Sequence, residues 1–258
     1  MSRGPRIVSL VPSLTELCFD LGLGKALVGR TDFCIHPADG VKSVPSLGGP
    51  KTVDGDRLIA LAPTHVLVSP EENARGILDR IARAHAEAVV VHPLSPADNR
   101  DLFLRFGSLF GCQARAAELA VALDAALAEA RRIRAATPEI PVLPLIWMDP
   151  WITVGRDTYV AAMLAAVGLS VRPPEAGLYP RIADLAAAAK AADWILLTSE
   201  PYAFTEDHAR ALTHSLGTPP HVACIAGESV AWYGSRAIFG LRDLIALKMR
   251  LLGKETSP

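Results

Sequence analysis

Short apolar runs alternate with longer segments that carry helix signals along most of the chain. In the first half the runs predict strands, and Ser13 with Glu16 predicts a capping box at the start of the first helix. The predicted strands are 6–10, 26–29, 65–69 and 88–92, and the predicted helices are 13–22, 55–61, 73–86 and 96–110. Strands that alternate with helices predict a parallel sheet covered on both faces.

Segment 113–136 predicts one long helix of Ala, Leu, Glu and Arg, with Pro138 just beyond its end. At about 1.5 Å per residue it would span ~36 Å, so it can join two lobes rigidly. The alternation then restarts, with strands at 142–147, 194–198 and 221–225 and helices at 158–167, 182–192, 206–215 and 235–252. The predicted fold is α/β, with two Rossmann-like lobes of mainly parallel sheets. Residues 1–112 form the N-terminal lobe, 113–137 the connecting helix and 138–258 the C-terminal lobe.

The two halves resemble each other at one place in particular. The predicted strand at 65–69 is followed by Pro70, Glu71 and Glu72, and the predicted strand at 194–198 is followed by Glu200 and Pro201. Each lobe therefore carries a carboxylate just past the C-terminal end of a central strand. Because ligands of open α/β sheets bind at that edge, we expect the two lobes to hold a ligand in a cleft between them.

Composition and charge exclude several classes of protein. The 258 residues include 26 Lys and Arg against 27 Asp and Glu, so the chain lacks the basic character of a nucleic-acid binder. Four widely spaced cysteines, without a CxxC pair, predict free thiols and a reducing compartment. The N-terminus runs directly into a strand, which predicts no export signal and a cytoplasmic location, or a periplasmic one if the chain has been trimmed. No apolar run reaches the roughly 18 residues of a transmembrane helix.

No catalytic motif is present. The chain has no G-x-S-x-G, no G-x-x-x-x-G-K-[ST], no H-E-x-x-H and no G-x-G-x-x-G after a strand. His65, His92 and His221 lie at the ends of predicted strands, where structural roles are the more common. The sequence therefore predicts a binding protein without a catalytic residue, and not an enzyme.

A candidate metal site lies in the loop after the second strand. Cys34 and His36 alternate there, a spacing that can direct both side chains to one face, and thiolate with imidazole suits zinc, copper or cobalt. Glu71, Glu72, Glu200 or Glu228 could complete such a site. The alternatives are an axial or outer contact of the pair to a bound chelate, and a loop cysteine that happens to be next to a surface histidine.

Aromatic and basic residues in predicted loops are candidates for holding a flat chelate. Aromatic faces bury a large area with little loss of rotamer freedom. The loop aromatics are Phe33, Trp147, Trp151, Tyr179, Tyr202, Phe204, Trp232 and Tyr233. The alternative role for them is packing between the lobes. Trp194 and Phe239, inside a strand and a helix, are predicted to pack in the core. Lys51, Arg156 and Arg236 could recognise an anionic ligand, and Arg236 is the preferred contact of the three.

Several stretches carry a resemblance to a known family. They are IVSLVPSLTE at 7–16, DRLIALAP at 56–63, Tyr179-Pro180 and WYGSR at 232–236. With them the chain resembles the periplasmic binding proteins whose lobes share one rigid helix, in the branch that binds cobalamin and ferric siderophores. Five further stretches are similar to its subgroup of helical-backbone metal receptors: TDFCIHP at 31–37, GGPK at 48–51, EEN at 71–73, SEPYAF at 199–204, and Gly227-Glu228 leading into Trp232.

This resemblance implies the class III substrate-binding-protein fold and a metal chelate as ligand: a corrinoid such as cobalamin, a ferric siderophore or haem. It also implies that one acidic residue on each lobe, Asp56 and Asp184, docks to arginines of an ABC permease. Leu47 departs from the pattern, because cobalamin binders carry an aromatic residue there. From the resemblance and the sequence together, the residues expected to contact the ligand are Phe33, Cys34, His36, Lys51, Glu71, Glu72, Tyr179, Glu200, Tyr202, Trp232, Tyr233 and Arg236.

Three functions stay open on the sequence. The first is a monomeric binding protein that delivers a metal chelate to an ABC importer. The second is a cytoplasmic binder or carrier of a metal or tetrapyrrole that works without a transporter. The third, by analogy of fold alone, is a chelatase-like enzyme that inserts a metal into a tetrapyrrole.

Overall fold

The computed structural model describes residues 4–217 and 220–255, and the chain divides into two compact units. The first unit comprises the described residues up to Pro93, Asp98–Ala122 and Tyr233–Arg236. The second comprises Leu94–Ala97, Leu123–Trp232 and the described residues from Ala237 onward. Tyr233–Arg236 thus groups with the first unit, and not with the C-terminal half as the sequence division predicted. Residues 1–3, 218–219 and 256–258 of the predicted lobes lie outside the described residues.

The first unit is built on a parallel sheet. Its elements are β1 (Ile7–Ser9), α1 (Pro12–Asp20), β2 (Leu27–Arg30), α2 (Gly55–Ala60), β3 (His65–Val68), α3 (Ile77–Arg83), β4 (Glu87–Val90), α4 (Asn99–Phe110) and the start of α5 (Gln113–Ala136). The strand order is β2-β1-β3-β4, and every pair is parallel. Strand residues such as Val8 and Val66 pack against helix residues such as Leu58 and Ile81 in one buried cluster.

The second unit contains the rest of α5 and then repeats this arrangement. Its elements are β5 (Ile140–Trp147), β6 (Ile152–Thr153), α6 (Tyr159–Ala166), β7 (Leu169–Val171), α7 (Leu185–Ala189), β8 (Trp194–Thr198), α8 (Glu206–Leu216), β9 (His221–Ile225), α9 (Glu228–Ala231) and α10 (Arg236–Glu255). The strand order is β6-β5-β8-β9, with β7 also paired to β5. Only the β5–β6 pair is antiparallel among the strand pairs of the described residues. The α/β class with mainly parallel sheets is confirmed.

Several predicted boundaries were wrong for local physical reasons. The helix predicted at 73–86 is shortened to Ile77–Arg83, because the Asn73 side chain bonds strand backbone instead. The helix predicted at 182–192 is only Leu185–Ala189, capped by the side chain of Asp184. The strands β6 and β7 and the helix α9 were missed, because two to four residues carry too little periodicity to be recognised.

The core predictions had mixed outcomes. Trp194 is 1% exposed, as predicted, whereas Phe239 is 51% exposed and lies under the guanidinium of Arg242 at 6.0 Å. Leu47 is buried in the core of the first unit, where it packs with β1 and α2 residues. Within the described residues, no helix is both long and apolar enough to cross a membrane.

Candidate functional site

Asn73 holds together the carboxyl edge of the first unit, which is the side of the sheet where its parallel strands end. Its Oδ1 accepts from the Ser69 backbone N–H at 2.8 Å, and its Nδ2 donates to the Leu10 carbonyl at 3.0 Å. The side chain therefore joins the ends of β3 and β1. Lys51 Nζ donates to the Glu71 carbonyl at 2.7 Å, so the turn that carries Glu71 and Glu72 is fixed from both sides. Lys51, which was predicted to contact a ligand, thus donates a hydrogen bond to the backbone of this turn.

Tyr233 joins this edge from far along the chain. Its hydroxyl donates to Glu72 Oε1 at 3.1 Å, and the residue is 7% exposed. Burial, and next the negative charge of Glu72, raise the pKa of Tyr233 well above its ordinary value. The phenol therefore stays a neutral donor at physiological pH. The structure thus brings two predicted site residues, Glu72 and Tyr233, into direct contact.

Arg236, the preferred cation, forms an ion pair inside the first unit. Its Nε donates to Glu16 Oε2 at 2.9 Å, and its second nitrogen donates to Oε1. Burial raises the pKa of Glu16 although Arg236 opposes the shift. The predicted capping box of Ser13 and Glu16 was wrong, because α1 begins at Pro12 and Glu16 faces this guanidinium. Contact of Arg236 with a ligand stays a prediction.

The Cys34–His36 loop has its thiol turned inward. Cys34 is 1% exposed, and Thr15 Oγ1 donates to its Sγ at 3.0 Å. Burial raises the pKa of this thiol, which disfavours the thiolate that a metal requires. His36 is half-buried and Phe33 is exposed. Among the described residues no group of three or more His, Cys, Asp or Glu side chains could hold a metal ion, and ligation by Cys34 and His36 stays a prediction.

One contact at the carboxyl edge of the first unit was not predicted from the sequence. His92, just past β4, places Nε2 2.8 Å from Glu71 Oε1. Glu71 was a predicted site residue, but His92 was assigned a structural role because it lies at a strand terminus. Its position two residues past a strand that neighbours β3 was the signal available in the sequence, since carboxyl ends of adjacent parallel strands share an edge.

Glu200 lies at the carboxyl edge of the second unit, close to Gly227. The Gly227 N–H donates to Ser199 Oγ at 2.9 Å, and a Cβ on Gly227 would lie 2.3 Å from Glu200 Cγ. Only glycine therefore permits this close approach of the loop after β9 to the loop after β8. The contact fixes the start of the Glu200 side chain.

Aromatic rings surround the next residues of this loop. Tyr202 contacts Trp147 at 5.6 Å between ring centroids and Phe204 at 4.6 Å, and Phe204 stacks on Trp151 at 6.2 Å. Trp147 is 39% exposed, while Phe204 belongs to the core. Of these four rings, Phe204 is therefore buried support and Trp147 is exposed to solvent.

A cavity of about 220 Å³ opens at the same edge. Its lining is mostly apolar and includes Tyr179, Thr198 and Glu200 as the groups with polar atoms. Tyr179 comes from a loop that pairs with the chain after β6, where Gly155 N–H donates to the Leu178 carbonyl at 2.8 Å. The structure thus brings Tyr179 and Glu200 together, as an apolar pocket with one carboxylate and one phenol.

The remaining predicted residues lie apart from these groups. Trp232, at the end of α9, is 8% exposed. Asp56 is exposed in the first turn of α2, behind the N-cap Asp54, and Asp184 is the exposed N-cap of α7. Arg156 is exposed, with its Nε 3.8 Å from Asp157 Oδ2. Both aspartates that were predicted to dock to a permease therefore lie exposed at the starts of short helices, and the docking stays a prediction.

Comparisons with known proteins agree with this architecture. The sequence model of the periplasmic binding protein family matches residues 7–215. The uncharacterized ABC transporter substrate-binding lipoprotein YvrC of Bacillus subtilis (strain 168) is 28% identical over 170 residues, which are 63% of this chain and 53% of the relative. The chain thus spans about half the length of this relative.

Solved structures share the fold over almost the whole chain. The apo periplasmic heme-binding protein RhuT from Roseiflexus sp. RS-1 has a TM-score of 0.81 at 24% identity, covering 95% of this chain and 97% of that one. The periplasmic vitamin B12 binding protein BtuF of Vibrio cholerae has a TM-score of 0.81 at 16% identity, with coverage of 95% and 97%. IsdE of S. aureus, complexed with heme, has a TM-score of 0.73 at 18% identity, with coverage of 95% and 99%. The class III substrate-binding-protein fold is thereby confirmed.

Proposed function

Because this chain belongs to the periplasmic binding protein family, whose sequence model matches residues 7–215, we propose that it is the substrate-binding protein of an ABC importer. Its ligand is a metal chelate: a corrinoid such as cobalamin, haem or a ferric siderophore. The family match is the observation that carries this proposal. The substrate-binding lipoprotein relative and the heme- and vitamin-B12-binding structures of the same fold support it.

The chemistry of the two carboxyl edges suits such a ligand. In the second unit, exposed Trp147 and the cavity with Tyr179 and Glu200 offer apolar and aromatic surface with a single carboxylate. Apolar walls with few placed polar groups are typical of small-molecule sites. In the first unit, Glu72 and Tyr233 add hydrogen-bonding groups, and the raised pKa of Tyr233 keeps its phenol a neutral donor. The role is binding without catalysis, at a location outside the cytoplasmic membrane, as the periplasmic and lipoprotein relatives suggest.

A titration tests the proposal. The protein is mixed with cobalamin, cobinamide, iron(III) protoporphyrin IX and a ferric siderophore, and quenching of tryptophan fluorescence is recorded. We expect sub-micromolar binding of at least one chelate. Trp147, which is exposed beside Tyr202 at the carboxyl edge of the second unit, should report that binding by a loss of fluorescence. Absence of binding across the whole panel would refute the proposal.

A matched pair of variants tests the cavity. Tyr179 and Leu178 are neighbours and both are 45% exposed, but only Tyr179 lines the cavity. Tyr179→Ala should weaken chelate binding by about tenfold, or ~1.4 kcal/mol. Leu178→Ala, whose backbone carbonyl bond to Gly155 is retained, should bind as the unmodified protein does. Equal losses in both variants would contradict a specific contact at Tyr179.

A further inference from the structure

His92 is a metal-directed side chain that the fold holds at the carboxyl edge of the first unit. We propose that its Nδ1, with Glu71 orienting the ring, ligates the metal of the bound chelate at an axial position. This inference rests on the proposed function and narrows it. The ligand would be a planar chelate with an exchangeable axial site, namely haem or a corrinoid, and not a siderophore whose donors already fill the coordination sphere of iron.

The sheet brings the two residues to one edge. β3 and β4 are parallel neighbours, with Val68 opposite Val90 at their ends. Glu71 follows the first strand and His92 the second, so both lie past the carboxyl ends where ligands of α/β sheets bind. The side chains are 41% exposed for His92 and 28% exposed for Glu71. A ligand can therefore reach the imidazole.

The contact with Glu71 sets the chemistry of the ring. Nε2 lies 2.8 Å from Glu71 Oε1, so in the neutral imidazole the proton is on Nε2 and the lone pair is on Nδ1. A carboxylate that accepts from one ring nitrogen fixes the tautomer and raises the basicity of the other, which is the usual second partner of a metal-bound histidine. Within the described part of the chain, Nδ1 of His92 has no hydrogen-bond partner.

Glu71 is itself held in place. Lys51 Nζ donates to its carbonyl at 2.7 Å, and buried Asn73 ties the same turn to the ends of β1 and β3. The carboxylate therefore belongs to a fixed turn and can orient the imidazole before a ligand arrives. A side chain that is already held in its metal-binding orientation loses little conformational entropy when the metal binds.

The opposite edge of the same sheet carries a second histidine–glutamate pair that serves as an internal comparison. His65 and Glu87 begin β3 and β4, with Nε2 and Oε2 3.7 Å apart. There Nδ1 lies 2.8 Å from Thr64 Oγ1, and the ring packs edge-on against Phe110 at 5.1 Å. With Nδ1 engaged and the ring covered, His65 is structural. The two pairs share residue types but only His92 offers a nitrogen to a metal.

Absorption spectroscopy of the complexes tests the inference. Iron(III) protoporphyrin IX, metal-free protoporphyrin IX and diaquocobinamide are each titrated into the unmodified protein, His92→Ala, Glu71→Gln and the control His65→Gln. We expect His92→Ala to shift the absorption bands of the metal complexes and to weaken their binding by at least about tenfold. Glu71→Gln should cause a smaller loss in the same direction. Metal-free protoporphyrin should bind all four proteins equally.

The outcomes separate the inference from the proposed function. Binding of a metal complex to His92→Ala with unchanged affinity and spectrum would overturn the axial ligand and leave the chelate-binding role standing. Equal losses for metal-free and metal-containing porphyrin would also overturn it, because the effect would then be one of shape. If the unmodified protein binds only a ferric siderophore, the inference fails while the broader function holds. If it binds no chelate, both fail.

Discussion

Single buried polar side chains determine how the first carboxyl edge is built. Asn73 uses its amide to bond Ser69 and Leu10 backbone, two groups that the sheet ladder leaves at strand ends. Such groups are costly to bury without partners. Tyr233 meets Glu72 in the same way, as a neutral phenol against a carboxylate. Hydrogen bonds from an amide and a hydroxyl thus hold this edge together.

The Glu16–Arg236 ion pair is predicted to contribute to the stability of the first unit. The side chains are only 13% and 21% exposed, so removing one partner leaves a poorly solvated charge. A double-mutant cycle with Glu16→Ala and Arg236→Ala, followed by urea unfolding, should give a coupling of about 2 kcal/mol. The exposed pair Arg115–Glu118, 50% and 63% exposed, should couple by less than about 0.5 kcal/mol. Equal coupling in the two pairs would contradict the role of burial.

The same pair has a defined pH dependence. Burial raises the pKa of Glu16 above its ordinary value of 4.5 in the folded protein. A carboxyl whose pKa is raised on folding contributes stability that is complete below the unfolded pKa and is lost as the pH rises through the folded pKa. The free energy of unfolding of the unmodified protein should therefore contain a contribution that falls as the pH rises above 4.5. The Glu16→Gln variant should lack this contribution.

At the scale of elements, α10 completes the end of α6. Lys248 is fully buried and donates from Nζ to the carbonyl of Val167, the C-cap of α6, at 2.9 Å. A cation at a helix C-terminus is favourable, since the last carbonyls are unsatisfied and the helix dipole is negative there. Gly168 leaves the helix with φ +81°, and a Cβ there would lie 2.6 Å from Lys248 Nζ. The packing of α10 on α6 thus depends on a lysine and a glycine.

Replacing Lys248 should change both the stability and its pH profile. Burial lowers the pKa of Lys248 in the folded protein, so its contribution is complete above the ordinary value of 10.5 and is lost as the pH falls through the folded pKa. Lys248→Met leaves the Val167 carbonyl without its donor and should cost about 1 kcal/mol at pH 7. That cost should grow toward pH 10.5. Exposed Lys190→Met, measured by the same urea unfolding, should show neither effect.

At the scale of the whole molecule, the two units have the same plan. β2-β1-β3-β4 in the first corresponds to β7-β5-β8-β9 in the second, with β6 as an added antiparallel strand. The turn with Glu71 follows β3 and the turn with Glu200 follows the corresponding β8. The repeated pattern seen in the sequence therefore has a structural counterpart, in which each sheet contributes one acidic turn at its carboxyl edge.

The docking to a permease that the family resemblance implies can be tested by removing the two exposed aspartates. Asp56→Ser with Asp184→Ser removes one exposed charge from each unit, and serine retains an N-cap for α7 at position 184. Chelate affinity should stay within about twofold, while uptake by cells that depend on this protein should fall by about tenfold. Asp79→Ser, an exposed acid in α3, should leave uptake unchanged. A fall in chelate affinity equal to the fall in uptake would place these aspartates in the ligand site instead.

The local pattern of residues along the chain was sufficient to predict much of the fold. The long helix was predicted at 113–136 and is found at Gln113–Ala136, and the strands β8 and β9 match their predicted bounds. These features were predictable because periodicity, capping residues and strand-forming runs act over a few neighbouring positions.

The tertiary structure alone decided which side chains meet. Arg236 pairs with Glu16 across 220 positions, Tyr233 reaches Glu72 across 161, and Asn73 reaches Leu10 across 63. A contact of this kind leaves no periodic trace, because either partner taken alone has the appearance of an ordinary polar residue. The sequence by itself determined most of the longer elements and the acidic turns that end the central strands. The partners of those turns depended on how the sheets bring distant segments to one edge.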